Sequence, residues 1–292
     1  MNIGILTRNP RAWAPRQLER AIRERGHEAV FLSYRSLVAR VGYRPRLESR
    51  GVKLEEDLSA VIVRPIGRCS LDQAIFRMDA LHRLARLGVV VVNSPSAIER
   101  CIDKFYALSL LEEHGIPVPR TLVAESAREA MRAFYELGCD VVVKPLFGSR
   151  GIGLMRVSDP ETARRVFTAL SFVHKVLYVQ EFIPHGNRDI RAFVVGGEVV
   201  ASMYRESSGW RTNIAQGARP RPLKLSGELE DLAVKAAKVV GCEVAGVDIL
   251  EGPEGYYVIE VNSQPGWRGL QSVTRVDIAG RIVDYVLSRV KR

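Results

Sequence analysis

The sequence predicts a doubly wound α/β domain followed by α+β units, and three observations predict it. Residues 1–93 alternate short apolar strands with helical segments, as in a parallel sheet covered by helices. "HGIPVPR" at 114–120 joins a glycine stop to two prolines that force extended chain, marking a domain boundary. Beyond 189 the strands pair around Gly196-Gly197 and around "EGPEG" at 251–255, which signals antiparallel hairpins. A chain of 292 residues has room for two or three packed units.

The elements follow in order. "NIGIL" is the first strand, and residues 15–25 form a charged amphipathic helix that stops at Gly26. "EAVFLS" and "SAVIVRP" are the next strands. Residues 71, 75, 78, 81, 84 and 87 are apolar, a helical stripe ended by Gly88, and "VVVVNSP" is the fourth strand. Ser94 is a candidate N-cap with Pro95 in the first helical position, Asp103 is a cap for the next helix, and Gly115 ends it. A strand near 121–124, a helix over 126–137, the strands "DVVVKP" and "IGLMRV", a helix over 160–171 and "VLYVQEF" make the middle unit. "DIRAFVV", "EVVASMY", a helix over 228–240, "EVAGVDIL", "YYVIEVN" and a helix over 277–290 complete the chain.

The formal net charge of +10 favours anionic partners such as nucleotides or acidic metabolites. Nucleic acid is not expected, because the charge lies in mixed-sign helices such as "RQLERAIRERGHE", without a basic block or an interleaved aromatic stripe. No apolar run reaches the roughly 18 residues of a membrane helix. The N-terminus reads as a strand, not as a secretory signal. Cys69, Cys101, Cys139 and Cys242 lack metal-binding spacing and are expected as buried thiols in the cytoplasm.

On "YYVIEVN", Glu260 and Asn262 point the same way. A hairpin loop centred near 253 sets residue 248 opposite about 258, so Asp248 lies diagonal to Glu260. Two carboxylates and an amide oxygen then converge with no cation nearby in the sequence. Burying them unpaired is costly, and oxygen-only donors suit Mg²⁺ or Mn²⁺. A solvated surface hairpin is the alternative.

In "VVVKPLFGSRGIGL", Lys144 ends a strand, and Gly148, Ser149, Gly151 and Gly153 follow; the spacing fits neither GxxxxGK[ST] nor GxGxxG. A phosphate cover and a plain turn both remain open. Asp189 and Arg191 share a strand face. Arg191 and Arg211 are candidate clamps for phosphate or carboxylate, and Asn213 lies beside the second. Trp267 is a candidate for stacking on an acceptor ring, and Arg64 and Arg68 for binding an acceptor at a strand end.

Taken in order (DK, GIPVP, VVKP with GSRGIG, QEFI with a following D-x-R, RTN, then VD…E-V-N-x-x-P-G), these segments resemble the ATP-grasp superfamily. Within it they look most like the RimK-type amino-acid ligases, over roughly residues 60 to 285. The resemblance implies an ATP-grasp fold: a pre-grasp domain at 1–93, a lid at 94–180, and a C-terminal domain at 181–292 that carries the metal and catalytic site. It implies that Lys104 and Lys144 hold the α- and β-phosphates, under a loop with Gly148, Ser149, Gly151 and Gly153. Gln180, Glu181, Phe182 and Ile183 would hold adenine, and Asp189 the ribose. Arg191, Arg211 and Asn213 would serve the γ-phosphate and the acceptor carboxylate, and Asp248, Glu260 and Asn262 two Mg²⁺ or Mn²⁺ ions.

The implied reaction is ATP-dependent ligation of L-glutamate to an acidic acceptor through an acyl phosphate, by a homodimer or homotetramer. "VVKPLFGSRGIG", "FRMDALHRLARLGVVVVNSP" and "GWRTN" look most like the archaeal tetrahydromethanopterin:glutamate ligase subgroup. A ribosomal protein tail, a deazaflavin coenzyme and an amino-group carrier protein are the alternative acceptors. "NSQPG" departs from the carrier enzymes, and Arg150 replaces the Gln usual in the ribosomal-tail enzymes. A nucleotide sensor or nucleic-acid-binding protein without ligase activity is the reading from another class.

Overall fold

The computed structural model describes residues 1–148 and 151–290. The chain opens with β1 (Asn2–Leu6), α1 (Trp13–Glu24) and β2 (Glu28–Leu32). An insertion that the periodicity does not announce follows. It is a small antiparallel sheet of β3 (Leu37–Ala39), β4 (Leu47–Ser49) and β5 (Val52–Lys53), ending in the single turn α2 (Leu54–Asp57). Strands this short leave no alternation to read. β6 (Ala60–Val63), α3 (Leu71–Arg86) and β7 (Val90–Val92) complete a parallel sheet of order β2-β1-β6-β7. Ile3, Ile5 and Ile62 pack with Leu18 and Ile22 of α1 on one side. Leu6, Val61 and Val63 pack with Met78, Leu81 and Leu84 of α3 on the other. Burial on both faces is why these strands are continuously apolar.

Ser94 accepts from the Ala97 N–H at the start of α4 (Pro95–Ile102), and Asp103 accepts from the Phe105 and Tyr106 N–H groups at the start of α5 (Lys104–Glu113). Both helices pack on the third sheet, through Ala97, Ala107 and Leu111. The segment from 94, which the sequence groups with the lid, thus lies against the C-terminal sheet instead. A proline-glycine break marks where an element ends, but not which sheet the preceding helix covers.

β8 (Thr121–Ala124), α6 (Ala127–Glu136), β9 (Val141–Lys144), β10 (Met155–Val157), α7 (Pro160–Phe172) and β11 (Leu177–Glu181) form the second unit. Its antiparallel sheet has order β10-β9-β11-β8, and Ala130, Phe134, Ala163 and Phe167 cover one face. The third sheet, of order β14-β13-β12-β15-β16, follows from β12 (Arg188–Val195), β13 (Glu198–Glu206), β14 (Arg219–Pro222), α8 (Gly227–Val239), β15 (Val244–Gly252) and β16 (Gly255–Asn262). β14 reads "RPRP"; its prolines hide it from sequence, and an edge strand tolerates them. After the short α9 (Arg268–Gln271), α10 (Ile278–Val290) returns to pack beside α1, joining the third sheet to the first. Among the described residues no helix is long and apolar enough to cross a membrane.

Both hairpins carry a register shift. In β12–β13, Val194 pairs with Val199 but Phe193 with Ala201, so Val200 is unmatched and Asp189 faces Arg205. In β15–β16, Ile249 pairs with Val258 but Asp248 with Glu260, leaving Ile259 unmatched. Asp248 is therefore directly opposite Glu260, which corrects the diagonal placement. Val258 lies in the core beneath α8. Strict alternation would send Glu260 there too. The extra residue turns Glu260 and Asn262 to the other face.

Candidate active site

Between the second and third sheets lies a cleft lined by residues of both. Lys104 and Lys144 line it. Lys144, the last residue of β9, donates from Nζ to Gln180 Oε1 at 2.6 Å, and Gln180 Nε2 donates to Thr121 Oγ1 at 2.8 Å. Lys104, the first residue of α5, donates to the Gly148 carbonyl at 2.9 Å. Burial pushes Lys144 down to about 8 against the attraction of Glu260, and the Lys104 charge adds to the fall. Burial also lowers Lys104, again against Glu260. One acid on the opposite wall thus acts on both lysines.

The floor of the cleft is a buried ion network. Arg191 faces Asp248 across β12–β15 and grips both carboxylate oxygens, from Nε and, at 2.9 Å, from Nη2. Arg205 lies 3.1 Å from Asp248 Oδ1 and also donates twice to Asp189, which accepts from Thr212 Oγ1 at 2.7 Å as well. Burial alone would raise the Asp248 carboxyl, but Arg191 and then Arg205 outweigh it and hold it below its ordinary value. The expectation that no cation accompanies these acids is corrected: two arginines from neighbouring strands do. Arg191, a candidate clamp for phosphate or carboxylate, holds the Asp248 carboxylate. Asp189, expected at the ribose, is 1% exposed and bound to Arg205 and Thr212. Arg205 and Thr212 escaped the sequence. The signal for Arg205 is a charge inside an apolar strand, but counting from Gly196-Gly197 without the bulge pairs Asp189 with Tyr204.

Glu260 and Asn262 differ from Asp248. Among the described residues the Glu260 carboxylate has neither an ion pair nor a hydrogen bond. Asn262 turns Nδ2 toward Asp248 Oδ2 and the Gly246 carbonyl, each at 3.4 Å, which leaves its Oδ1 free of protein donors. A free carboxylate and an amide oxygen on one strand face are donors for a hard divalent cation, with Asp248 held beside them. Among the described residues no three His, Cys, Asp or Glu side chains converge, so other ligands must complete a coordination shell.

Gln180, Glu181, Phe182 and Ile183 pass along the cleft wall at the end of β11. The Glu181 side chain is bound to Arg120, by its backbone N–H and its Nε, each at 2.7 Å. Phe182 carries Arg156 over its ring at 3.5 Å and meets Trp210 edge-on at 6.3 Å. Among the described residues nothing accepts from the Ile183 N–H. The glycine-rich loop touches the R-x-N element: Arg211 Nη2 donates to the Leu154 carbonyl at 2.6 Å, and a Cβ on Gly151 would stand 2.3 Å from Asn213 Oδ1. Gly148 and Gly151 line the cleft and Gly153 follows with positive φ, while Ser149 and Arg150 lie outside the described residues.

Two further expectations change. Trp267 is 1% exposed, packed against Trp13 and Phe193 with Arg64 over its ring at 4.8 Å, so it has no face for an acceptor. Of the four cysteines only Cys242 is fully buried; its Sγ lies 3.4 Å from that of Cys101.

A family model described as the RimK-like ATP-grasp domain matches residues 101–286, and one described as the RimK PreATP-grasp domain matches residues 1–98. The chain belongs to the RimK-like ATP-grasp family. Membership extends through the first 60 residues, where the motifs are silent. Among curated relatives, a tetrahydromethanopterin:alpha-L-glutamate ligase of Methanococcus maripaludis is 36% identical, over 100% of this chain and 99% of that protein. A probable alpha-L-glutamate ligase of Pseudomonas aeruginosa is 38% identical, over 98% and 95%. Among solved structures, the ATP-grasp ligase PsnB complexed with minimal precursor, Mg and ADP superposes with a TM-score of 0.76 at 24% identity, covering 99% of this chain and 98% of that one. That likeness concerns the fold.

Proposed function

We propose that this RimK-like ATP-grasp protein is an ATP-dependent ligase that joins L-glutamate to an acidic acceptor, with a tetrahydromethanopterin-type cofactor as the leading acceptor. The observation that carries the reading is the cleft itself. Lys104 and Lys144 stand on one wall and the free carboxylate of Glu260 on the other, with Arg211 and Asn213 beside the glycine-rich loop. The lysines suit the phosphates of ATP, and the backbone at Ile183 suits an adenine edge. Glu260 and Asn262, with Asp248 behind them, would hold two Mg²⁺ or Mn²⁺ ions, which when bound neutralise phosphate charge. An acceptor carboxylate attacks the γ-phosphate to give an acyl phosphate and ADP. The amine of L-glutamate then displaces phosphate and forms an amide. Positioning and charge neutralisation suffice, and no covalent enzyme nucleophile is needed. The names of the full-length relatives support glutamate and the pterin cofactor.

The test measures ADP and phosphate release with Mg²⁺ and L-glutamate across a tetrahydropterin cofactor, a reduced-deazaflavin precursor and an acidic peptide. Release that requires both glutamate and one acceptor, with a mass gain of one glutamyl unit, supports the reading. ADP release that ignores both would sink it.

A further inference from the structure

Arg64, at the carboxyl end of β6, is 6% exposed and pairs with no carboxylate among the described residues. Its guanidinium lies over the Trp267 ring at 4.8 Å and donates from Nη2 to the Pro265 carbonyl at 2.8 Å. Its other N–H groups have no protein acceptor among those residues. A buried cation without an anion is costly, and burial pulls this one down to about 10. One further buried donor beside it, Trp267 Nε1, has no partner among the described residues.

More positive charge is gathered at the same loop. Gly67 has a φ of +72°, and a Cβ there would stand 2.2 Å from the Arg8 side chain, so Arg8 lies directly on the loop. Arg77 donates to the Ile66 carbonyl at 3.0 Å. Arg68 ends the loop; it and Arg8 are exposed. None of the four arginines has an acidic partner among the described residues. The cluster also adjoins the cleft, because Pro265 Cβ and Arg191 Nη1 both lie against Gly246, next to Asp248.

We propose that this loop is a second anion site, in which Arg64, Arg8 and Arg68 bind a carboxylate or phosphate group of the acceptor that the reaction does not consume. The inference rests on the ligase reading and adds how the acceptor is recognised. Exposed cations that lead to a buried one fit an elongated polyanion running from the surface toward the reaction centre. A free glutamate needs no such run and fewer positive charges.

The experiment titrates an oligoglutamate peptide and, separately, inorganic phosphate into the full chain without ATP. It compares wild type, the double variant Arg8→Ser/Arg68→Ser, and a control, Arg164→Ser/Arg165→Ser, that removes the same charge from α7. The expected result is saturable binding by wild type and control, weakened roughly tenfold in the loop variant, about what two exposed ion pairs supply. Arg64→Met, if folded by thermal melt, is expected to lose more; the loop variant decides the question if it is not. The stronger of the two titrants separates a carboxylate site from a phosphate site. With an active acceptor, its KM rises in the loop variant while the KM for glutamate does not. Equal peptide and phosphate binding by wild type and loop variant overturns the proposal, as does a rise confined to the glutamate KM. Because the titration needs no turnover, failure of the ligase reading shows separately, as absent glutamate-dependent ADP release.

Discussion

Asp248 and Glu260 stand opposite one another because Ile259 is unmatched between their strands. The two acids have different duties. Asp248 is neutralised by Arg191 and Arg205, whereas Glu260 meets no protein cation at bonding distance and faces the two lysines across the cleft. Glu260→Gln is expected to keep the fold and lose roughly 10²–10³ in kcat, the scale of losing a key transition-state electrostatic contact. Removal of Ile259 is expected to do worse, by turning Glu260 toward the core. ADP release and circular dichroism together separate the two; near-normal turnover of Glu260→Gln would remove this residue from the mechanism.

Arg205 is expected to be the most damaging single arginine for stability. It serves Asp189 and Asp248 at once, and all three are buried. Removing one partner of a buried pair leaves an uncompensated charge, at about 3–5 kcal/mol. Urea denaturation of Arg205→Met should show that loss, and a shift below about 1 kcal/mol would contradict the network's role.

Lys144 sets a pH dependence whose sign can be worked out. Its folded value, about 8, lies below its ordinary 10.5. The unfolded chain therefore binds more protons between those values, so this group makes stability rise with pH across that window. Nucleotide affinity runs the other way, because phosphates favour the protonated lysine. ATP binding should be full below pH 8 and weaken above it. Calorimetry at pH 8 in two buffers should detect proton uptake on binding, and Lys144→Met should abolish it.

Gly246 leaves room for Arg191. A Cβ there would lie 2.6 Å from Arg191 Nη1 and 2.9 Å from the Pro265 ring, which cannot swing aside. Gly246→Ala should cost about 1–3 kcal/mol by overpacking and lower kcat through a displaced Arg191–Asp248 pair. A thermal melt and a turnover assay check both.

Gly151 tests the contact between loop and R-x-N element. Its φ is +70° and Asn213 fills the space beside it. Gly151→Ala should slow turnover and, through the left-handed backbone and the crowded Asn213 amide, cost about 1–3 kcal/mol, seen as a lowered melting temperature. A wild-type rate would detach the loop from the chemistry.

The strand–helix order, the caps at Ser94 and Asp103 and the hairpin turns were legible in the sequence, because each depends on neighbours a few residues apart. So was the shared face of Glu260 and Asn262, and so were the motif residues that line the cleft. The small sheet at 37–53 and the proline-bearing edge strand were not, since their strands carry no usable periodicity. Tertiary structure alone decided which face Glu260 takes and which residue answers Asp189. One unmatched residue in each hairpin resets every pairing beyond it, and alternation within one strand cannot reveal its partner's register. The same holds for Arg191 and Asp248, 57 residues apart in sequence and adjacent across a strand pair. Residue types named the chemistry; pairing between distant strands chose which acids are neutralised and which one is left to face the cleft.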